Sequence, residues 1–336
     1  MPKGRCLTAS KADLRWLAAA AALAERGRPA SAPNPSVGAI IVKEGRVIGR
    51  GWTQAGGRPH AEAVALAQAG SDAAGATLYV TLEPCAHDSA RGPACSALVA
   101  AAGLARVVIG AGDPDPRTAG GGIARLEAAG IETVLADFPR CADSLAGYLT
   151  RAAFGRPHVT LKLALSIDGS IALADGTSQW ITGEEARAHV HAHRAKNDAI
   201  LVGGGTWRAD RPRLDVRLPG LEDRSPRRIL LSRGVKPDNV DQVINRPEQI
   251  AELSGVQYLY VEGGAGAAAS LLARDTVDEL HLYRAPILIG DGLRGVAGLD
   301  LADLASAHGR WRATERRQLG SDEFTAYSRV REKEPA

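Results

Sequence analysis

Cysteine is scarce in this chain. Four residues, Cys6, Cys85, Cys95 and Cys141, among 336 are too few to staple a fold of this length, which excludes a disulfide framework. The close pair Cys85/Cys95 reads instead as metal ligands or buried thiols in a reducing compartment. An excess of charge of one sign is also missing: 41 Lys+Arg against 38 Asp+Glu leave a formal net charge of +3. That lacks the basic footprint of a protein that tracks a phosphate backbone, while small anionic substrates remain compatible. No apolar run approaches the ~20 residues that cross a bilayer. Lys11 and Arg15 ahead of Trp16–Ala24 imitate a signal peptide. Ser10-Lys-Ala-Asp13, however, has the form of a capping box, Ala and Leu are strong helix formers, and Gly27 suits a helix C-terminus. An amphipathic first helix, no membrane or nucleic-acid partner, and a cytoplasmic location are therefore expected.

What is present is ordinary globular composition, 45% hydrophobic and 24% charged, with 38 Gly for tight turns. The length exceeds what one core organises, and ~100–200 residues per domain predicts two. From residue 37 short apolar segments alternate with helix-length ones: Val37–Val42, Val47–Gly51, a helix over His60–Ala69, Thr77–Leu82, a helix over Ala94–Ala102, Arg106–Gly110, a loop Asp113–Pro116, a helix over Gly122–Ala129, and Ile131–Leu135. This pattern predicts an α/β unit with a mixed, helix-covered sheet. Residues 137–155 carry few strand signals, and Gly155-Arg-Pro157 breaks the chain before the strand-like Val159–Ser166. The boundary is expected near residue 154, giving domains 1–154 and 155–336. The second half repeats the alternation with Ala199–Gly203, Arg228–Ser232, Tyr258–Glu262 and Glu279–Ile289, and the charged tail Arg331–Ala336 is expected to fray.

His60-Ala-Glu62 opens a helical stretch, and Pro84-Cys85 and Cys95 follow a strand ending at Glu83. One His and two Cys supply three zinc ligands and leave the fourth tetrahedral position for water, as catalysis requires. Zn²⁺ lowers the pKa of that water to about 7, and Glu62 can take its proton and pass it to a ring nitrogen and departing amine. The deaminase pattern H-x-E followed by P-C-x-x-C is matched in order, in Pro84 and in Glu62, but nine residues separate the cysteines instead of two. Taken singly, each of these residues reads as a buried thiol or a polar helix start. A hydrolytic deaminase of a base in nucleic acid shares the H-A-E and the zinc; the near-neutral charge argues against it.

Several longer motifs carry a resemblance: Asn34-Pro-Ser-Val-Gly38, His60-Ala-Glu62, Thr81-Leu-Glu-Pro-Cys-Ala-His87 and Arg91-Gly-Pro-Ala-Cys95, then Gly112-Asp-Pro-Asp-Pro116, Lys162-Leu-Ala-Leu-Ser-Ile-Asp-Gly169, Ser178-Gln-Trp-Ile-Thr182 and Gly203-Gly-Gly-Thr-Trp-Arg-Ala-Asp210. Over nearly its whole length the chain resembles the RibD family of bifunctional riboflavin-biosynthesis deaminase/reductases, whose members share the long cysteine spacer. The resemblance implies an N-terminal cytidine-deaminase-like α/β/α domain with a mixed sheet, and a C-terminal dihydrofolate-reductase-like α/β domain. It implies hydrolytic removal of the 2-amino group of 2,5-diamino-6-ribosylamino-4(3H)-pyrimidinone 5′-phosphate, then NADPH-dependent reduction of ribosyl to ribityl by hydride delivery to C1′. In the first domain it implies zinc on His60, Cys85 and Cys95 and catalysis by Glu62. Asn34 and His87 would contact the substrate, with Arg91 on the 5′-phosphate unless it is a solvated loop charge.

In the second domain the resemblance implies NADPH contacts from Ala164, Trp180, Thr206, Asp210 and a loop formed by Gly264, Ala265, Gly266, Ala267, Ala268, Ala269 and Ser270. Substrate contacts would come from Lys162, Ser178, Arg194, Leu214, Arg217 and Glu262, and a homo-oligomer is expected. A core aromatic is the alternative role for Trp180. Gly203-Gly-Gly205 and Glu262-Gly-Gly-Ala-Gly266 follow short apolar strands, where a backbone can approach phosphates, though neither is the G-x-G-x-x-G fingerprint. Two positions depart from the family: Arg211 stands where Ala-Asp-Asp-Pro is usual, and Ser232 ends a strand expected to end in Asp. These departures leave open a monofunctional deaminase whose second domain serves binding or oligomerisation. His189, His191 and His193 are expected at the surface or on the substrate side rather than on a second metal, for want of a third ligand.

Overall fold

The computed structural model describes residues 8–331 other than 235, 300 and 302; Cys6 and the tail beyond Arg331 lie outside the described residues. The chain divides between Gly155 and Arg156 into two compact units. Among the described residues no helix is long and apolar enough to cross a membrane.

The first unit opens with α1 (Lys11–Ala24), whose reciprocal capping box forms as expected: Ser10 Oγ accepts from the Asp13 amide, and the Asp13 carboxylate accepts from the Ser10 amide. That carboxylate, 3% exposed, also accepts from Arg106 at 2.7 Å and from the Tyr79 hydroxyl at 3.1 Å, tying the helix to the sheet. The strands are β1 (Gly38–Lys43), β2 (Arg46–Trp52), β3 (Thr77–Val80), β4 (Arg106–Ile109) and β5 (Glu132–Leu135). They pair in the order β2-β1-β3-β4-β5. β1 runs antiparallel to both its neighbours, and β3, β4 and β5 are parallel. The central strands are buried on both faces, which explains their unbroken Val, Ile and Leu content.

Helices α2 (Ala61–Ala69), α3 (Cys95–Ala101) and α4 (Gly121–Ala128) cover the sheet with α1. α2 lies so close on β2 that a Cβ at Gly51 would fall 2.3 Å from the Ala61 carbonyl oxygen, so only glycine lets the start of this helix seat. His60 is the N-cap in extended conformation, not the first helical residue as its sequence suggested. The stretch without strand signals folds as α5 (Pro139–Ser144) and α6 (Ala146–Phe154).

The second unit contains β6 (His158–Leu165), β7 (Ser170–Ala172), α7 (Glu184–Arg194), β8 (Ala199–Gly203), α8 (Gly204–Asp210), β9 (Arg227–Leu231), β10 (Gln242–Ile244), β11 (Tyr258–Glu262), α9 (Ala265–Leu272), β12 (Glu279–Arg284), β13 (Leu293–Arg294), β14 (Trp311–Leu319) and β15 (Asp322–Arg329). Eight strands form one sheet in the order β10-β9-β8-β11-β6-β12-β15-β14. It is parallel from β10 to β12 and closed by the antiparallel pair β15 and β14. One face packs Leu161, Leu201, Leu259 and Val261; the other packs Ile200, Val202, Tyr260 and Tyr283.

Two expectations are corrected here. The strand expected over Glu279–Ile289 stops at Arg284, just before Ala285-Pro286, where proline has no N–H for a ladder. The predicted loop Gly264–Ser270 is for the most part the helix α9, capped by Gly264.

Candidate active sites

The first site forms where β3 ends. Thr81 to Cys85 runs on from that strand, α3 begins at Cys95, and α2 begins beyond His60, so three elements converge. His60 Nδ1 lies 3.3 Å from Cys95 Sγ and 3.7 Å from Cys85 Sγ. The three donor atoms all fall within 4.8 Å of one another, and no other metal-competent His/Cys/Asp/Glu group is found among the described residues. A tetrahedral ion with bonds of about 2.0–2.3 Å requires donor separations of roughly 3.3–3.8 Å, so the residues present fit zinc. A hydrogen bond from Cys95 holds the Cys85 thiol well below its ordinary range against the opposing effect of burial, which suits a thiolate ligand.

Glu62 sits in the first turn of α2, 3% exposed. Burial raises its pKa, opposed by His60, the direction a general acid–base group needs. Asn34 is brought to the site: its side-chain amide donates to the Gly57 carbonyl at 2.9 Å and lies 3.3 Å from His60 Nε2. His87 is half-buried, 3.5 Å from the Thr118 hydroxyl. Arg91 is exposed and donates to the Gly56 carbonyl at 2.7 Å, which places it beside the loop that carries Asn34's partner.

One residue escaped the sequence reading. Glu83, 3% exposed, accepts from the amides of Gly120 at 3.1 Å, Gly122 at 2.9 Å, Ile123 at 3.1 Å and Asp113 at 3.4 Å. It anchors the loop that holds Thr118 and the start of α4 against the metal-binding strand. Its place in Thr-Leu-Glu-Pro-Cys, beside a ligand, was the available signal.

The second site is a cavity of ≈ 1090 Å³ at the carboxyl ends of β6, β8 and β11, where open parallel sheets bind ligands. Seven cations line it, Lys162, Arg187, Arg194, Arg211, Arg213, Arg217 and Arg294, against two carboxylates, Asp210 and Glu262. The near-neutral chain thus concentrates basic charge at this cavity. Glu262 is central: Arg194 donates to both its oxygens at 2.6 and 2.9 Å, and Lys162 lies 3.8 Å away. Against the desolvation of burial, Arg194 and Lys162 hold its carboxyl down at about 2. Burial lowers the Lys162 ammonium from its ordinary value, with Glu262 opposing.

Of the residues named from sequence, Lys162, Ala164, Ser178, Trp180, Arg194, Thr206, Asp210, Leu214, Arg217, Glu262, Gly264, Ala265, Gly266 and Ala267 line this cavity. Ala268, Ala269 and Ser270 do not: α9 turns them away, and Ala268 is fully buried in the core. Thr206 Oγ1 accepts from the Gly264 amide at 3.0 Å and joins the two glycine turns. Trp180 is no core aromatic; it is 64% exposed with the Arg187 guanidinium 4.7 Å above its ring. The Arg211 departure adds a cation to the cavity lining. Ser232 lines a separate cavity of ≈ 510 Å³ with Arg233, Arg246 and Arg274. His189 is not a surface group but is hydrogen-bonded to the Tyr283 hydroxyl at 2.8 Å and packed on Phe324, while His191 lines the large cavity.

Comparison with known proteins identifies both units. Residues 10–111 match the cytidine and deoxycytidylate deaminase zinc-binding region, and residues 157–322 match the RibD C-terminal domain. The riboflavin biosynthesis protein RibD of Haemophilus influenzae is 38% identical over 95% of this chain and 98% of its own; that of Corynebacterium ammoniagenes is 44% identical over 80% and 85%. Among solved structures, Acinetobacter baumannii RibD superposes with a TM-score of 0.85 at 33% identity, covering 96% of this chain and 99% of the other. A Thermotoga maritima diaminohydroxyphosphoribosylaminopyrimidine deaminase/5-amino-6-(5-phosphoribosylamino)uracil reductase gives 0.82 at 29%, covering 95% and 99%. A zinc-binding deaminase unit and a reductase unit that uses NADPH stand in one chain, and this protein belongs to the RibD family of bifunctional deaminase/reductases of riboflavin biosynthesis.

Proposed function

We propose that the first unit hydrolyses the 2-amino group from 2,5-diamino-6-ribosylamino-4(3H)-pyrimidinone 5′-phosphate and that the second reduces the ribosyl group of the product to ribityl. The observation that carries this reading is the pairing, in one chain, of the His60/Cys85/Cys95 cluster beside buried Glu62 with a basic cavity large enough for two phosphorylated molecules. When bound, zinc supplies a water acidic enough to ionise near pH 7. Glu62 would carry one proton of that water to the ring nitrogen and then the remaining hydroxyl proton to the departing amine, which leaves as ammonia while the ring carbon becomes a carbonyl, a shuttle worth roughly 10²–10⁴-fold. Asn34 and His87 hold the polar edge of the ring, and Arg91 meets the phosphate by exchanging its bond to the Gly56 carbonyl for a charge-assisted one.

In the second unit NADPH supplies hydride to C1′ when bound. Gly264 to Ala267, Thr206, Trp180, Ala164 and Asp210 form its seat, and the tie between Thr206 and Gly264 keeps the two glycine turns in register. Arg194, Arg217, Lys162, Ser178, Leu214 and Glu262 receive the sugar phosphate. Glu262 is the pivot, because it neutralises Arg194 and Lys162 and aims both into the cavity. A homo-oligomer in the cytoplasm, with neither nucleic acid nor membrane as partner, completes the reading. Exposed Ile287, Leu288, Leu293, Val296, Leu299, Leu301 and Leu304 form an apolar run of the kind that subunits cover. The test is a pair of separate assays on the same protein, ammonia release from the diaminopyrimidine and NADPH oxidation with its deaminated product. Ammonia release without NADPH oxidation at saturating cofactor would leave only the deaminase.

A further inference from the structure

We propose that His191 is a third binding group for the phosphate of the reductase substrate, completing the pocket that Arg194 and Arg217 begin. The proposal rests on the reading of those two arginines as phosphate ligands. His191 lies three residues before Arg194 on α7, so both side chains leave the same face of the helix. It is 9% exposed and lines the large cavity. Its Nδ1 accepts a hydrogen bond from the backbone N–H of Arg217 at 3.2 Å. One imidazole thus joins the helix of the first arginine to the segment of the second.

That bond also sets the tautomer. A neutral imidazole whose Nδ1 accepts must carry its proton on Nε2. The ring's other hydrogen-bond contact among the described residues is the Asp215 backbone, and as a lining group of the cavity its Nε2–H can meet a ligand. Its placement in a cavity wall between two guanidinium groups marks it for an anionic oxygen. Arg217 is half-exposed and only 3.4 Å from the Asp215 carboxylate, and Arg194 is already committed to Glu262 and the Asp215 carbonyl. Neither arginine can enclose a phosphate alone, and a donor between them closes the gap.

The surroundings make this donor responsive. The groups facing the ring are Arg194 on its own helix, Arg217 and Asp215 on the crossing segment, and Glu262 on β11. Burial and then the two arginines hold the imidazole below its ordinary pKa, with Glu262 and the Asp215 backbone opposing. These neighbours bias the ring toward its neutral form. A phosphate dianion brings the opposite charge into contact and favours the imidazolium, whose Nδ1–H can turn to the Asp215 carbonyl while Nε2–H stays on the phosphate. Substrate binding should take up a proton at His191.

D-Ribose 5-phosphate is the probe, and titration calorimetry at pH 7.5 in buffers of different ionisation enthalpy counts the protons. At this pH the free phosphate, with its second pKa near 6, is almost wholly dianionic. The wild-type chain should take up a fraction of a proton. His191→Asn keeps an acceptor for the Arg217 amide but no titrating nitrogen; it should lose that uptake and bind about 10- to 100-fold more weakly. Equal proton counts or equal affinity in the two proteins would overturn the proposal. Imidazole ¹⁵N shifts read the same event in the unsubstituted chain: His191 should move from the neutral to the cationic pattern on addition of ribose 5-phosphate, and a ring that stays neutral also sinks the idea. Arg217→Gln distinguishes this failure from that of the underlying reading. If Arg217→Gln binds as tightly as wild type, the phosphate lies elsewhere; if it binds poorly while His191→Asn is unchanged, only the role of His191 falls.

Discussion

Replacing Glu83 should damage the first unit out of proportion to the size of the change. The carboxylate is almost fully buried and has no cation within ion-pair distance among the described residues; four backbone amides satisfy it. Three of these belong to the start of α4 and the turn before it, where the helix dipole also favours an anion. Gly122 approaches so closely that a Cβ there would lie 2.0 Å from the Pro84 carbonyl oxygen, so the donors cannot find water without the loop moving away. In Glu83→Ala each stranded amide costs about 1–3 kcal/mol, and the 3.4 Å bond to Asp113 counts least. Allowing for partial relaxation, the loss should be about 4–6 kcal/mol, a large part of the 5–15 kcal/mol that holds a domain together. Glu83→Gln keeps one acceptor oxygen and turns an NH₂ toward two amides, and should lose roughly half as much. The assay is urea denaturation followed by zinc release, which reports on the first unit alone, since two units need not unfold as one. Ammonia release should fall in parallel because Thr118, which faces His87, rides on the same loop, while NADPH oxidation should be spared. A Glu83→Ala protein that releases zinc within about 0.5 kcal/mol of wild type would refute the reasoning.

Three further outcomes follow from the same geometry. Glu62→Gln should retain one zinc per chain by elemental analysis and lose roughly 10²–10⁴-fold in ammonia release; retained deamination would remove Glu62 from the chemistry. Asp210→Ala, which also breaks the 3.4 Å contact with Ser178, should lose NADPH oxidation and keep ammonia release, because the two cores are separate; loss of both would show that the units depend on each other. Glu262, held at about 2 against an ordinary 4.5, has a depressed folded-state pKa, so its contribution is fully present above pH 4.5 and disappears as pH falls toward 2. It amounts to about 3 kcal/mol, and the difference in denaturation midpoint between wild type and Glu262→Gln should shrink across that window; a difference independent of pH would exclude the ion pairs as its source.

The parts of the molecule legible in the sequence were those where local chemistry and global position agree. The capping box at Ser10 and Asp13 is contained within four residues, and the structure forms it as written. The continuous apolar runs of β1, β3 and β4 announce strands buried on both faces. The zinc cluster was legible because ligand identity and order survive even when the spacer between Cys85 and Cys95 is long. The hairpin of β14 and β15 was not, for a physical reason. β14 reads Trp-Arg-Ala-Thr-Glu-Arg-Arg-Gln-Leu and is exposed at six of nine positions, so as the edge of the sheet it needs no apolar alternation. Nothing local distinguishes such a strand from a charged loop.

The same distinction between local and assembled information explains why Glu83 escaped the sequence and why the sequence places His191 only at the surface or on the substrate side. Glu83 earns its role from amides that lie thirty to forty residues away in the chain, and His191 from the amide of Arg217, twenty-six residues on. Neither has a partner within a window that a motif could span. Net charge behaves similarly: a total of +3 conceals a cavity with seven cations and two carboxylates. Several acidic residues are spent elsewhere in ion pairs, as Asp278 is on Arg156 and Arg331, and Asp13 and Glu132 are on Arg106. Composition averages over these pairs, whereas binding depends on which cations are left facing the cavity. The Arg211 departure belongs to that account: a substitution that weakens the sequence match adds a cation to the basic field of the cavity proposed to hold cofactor and substrate.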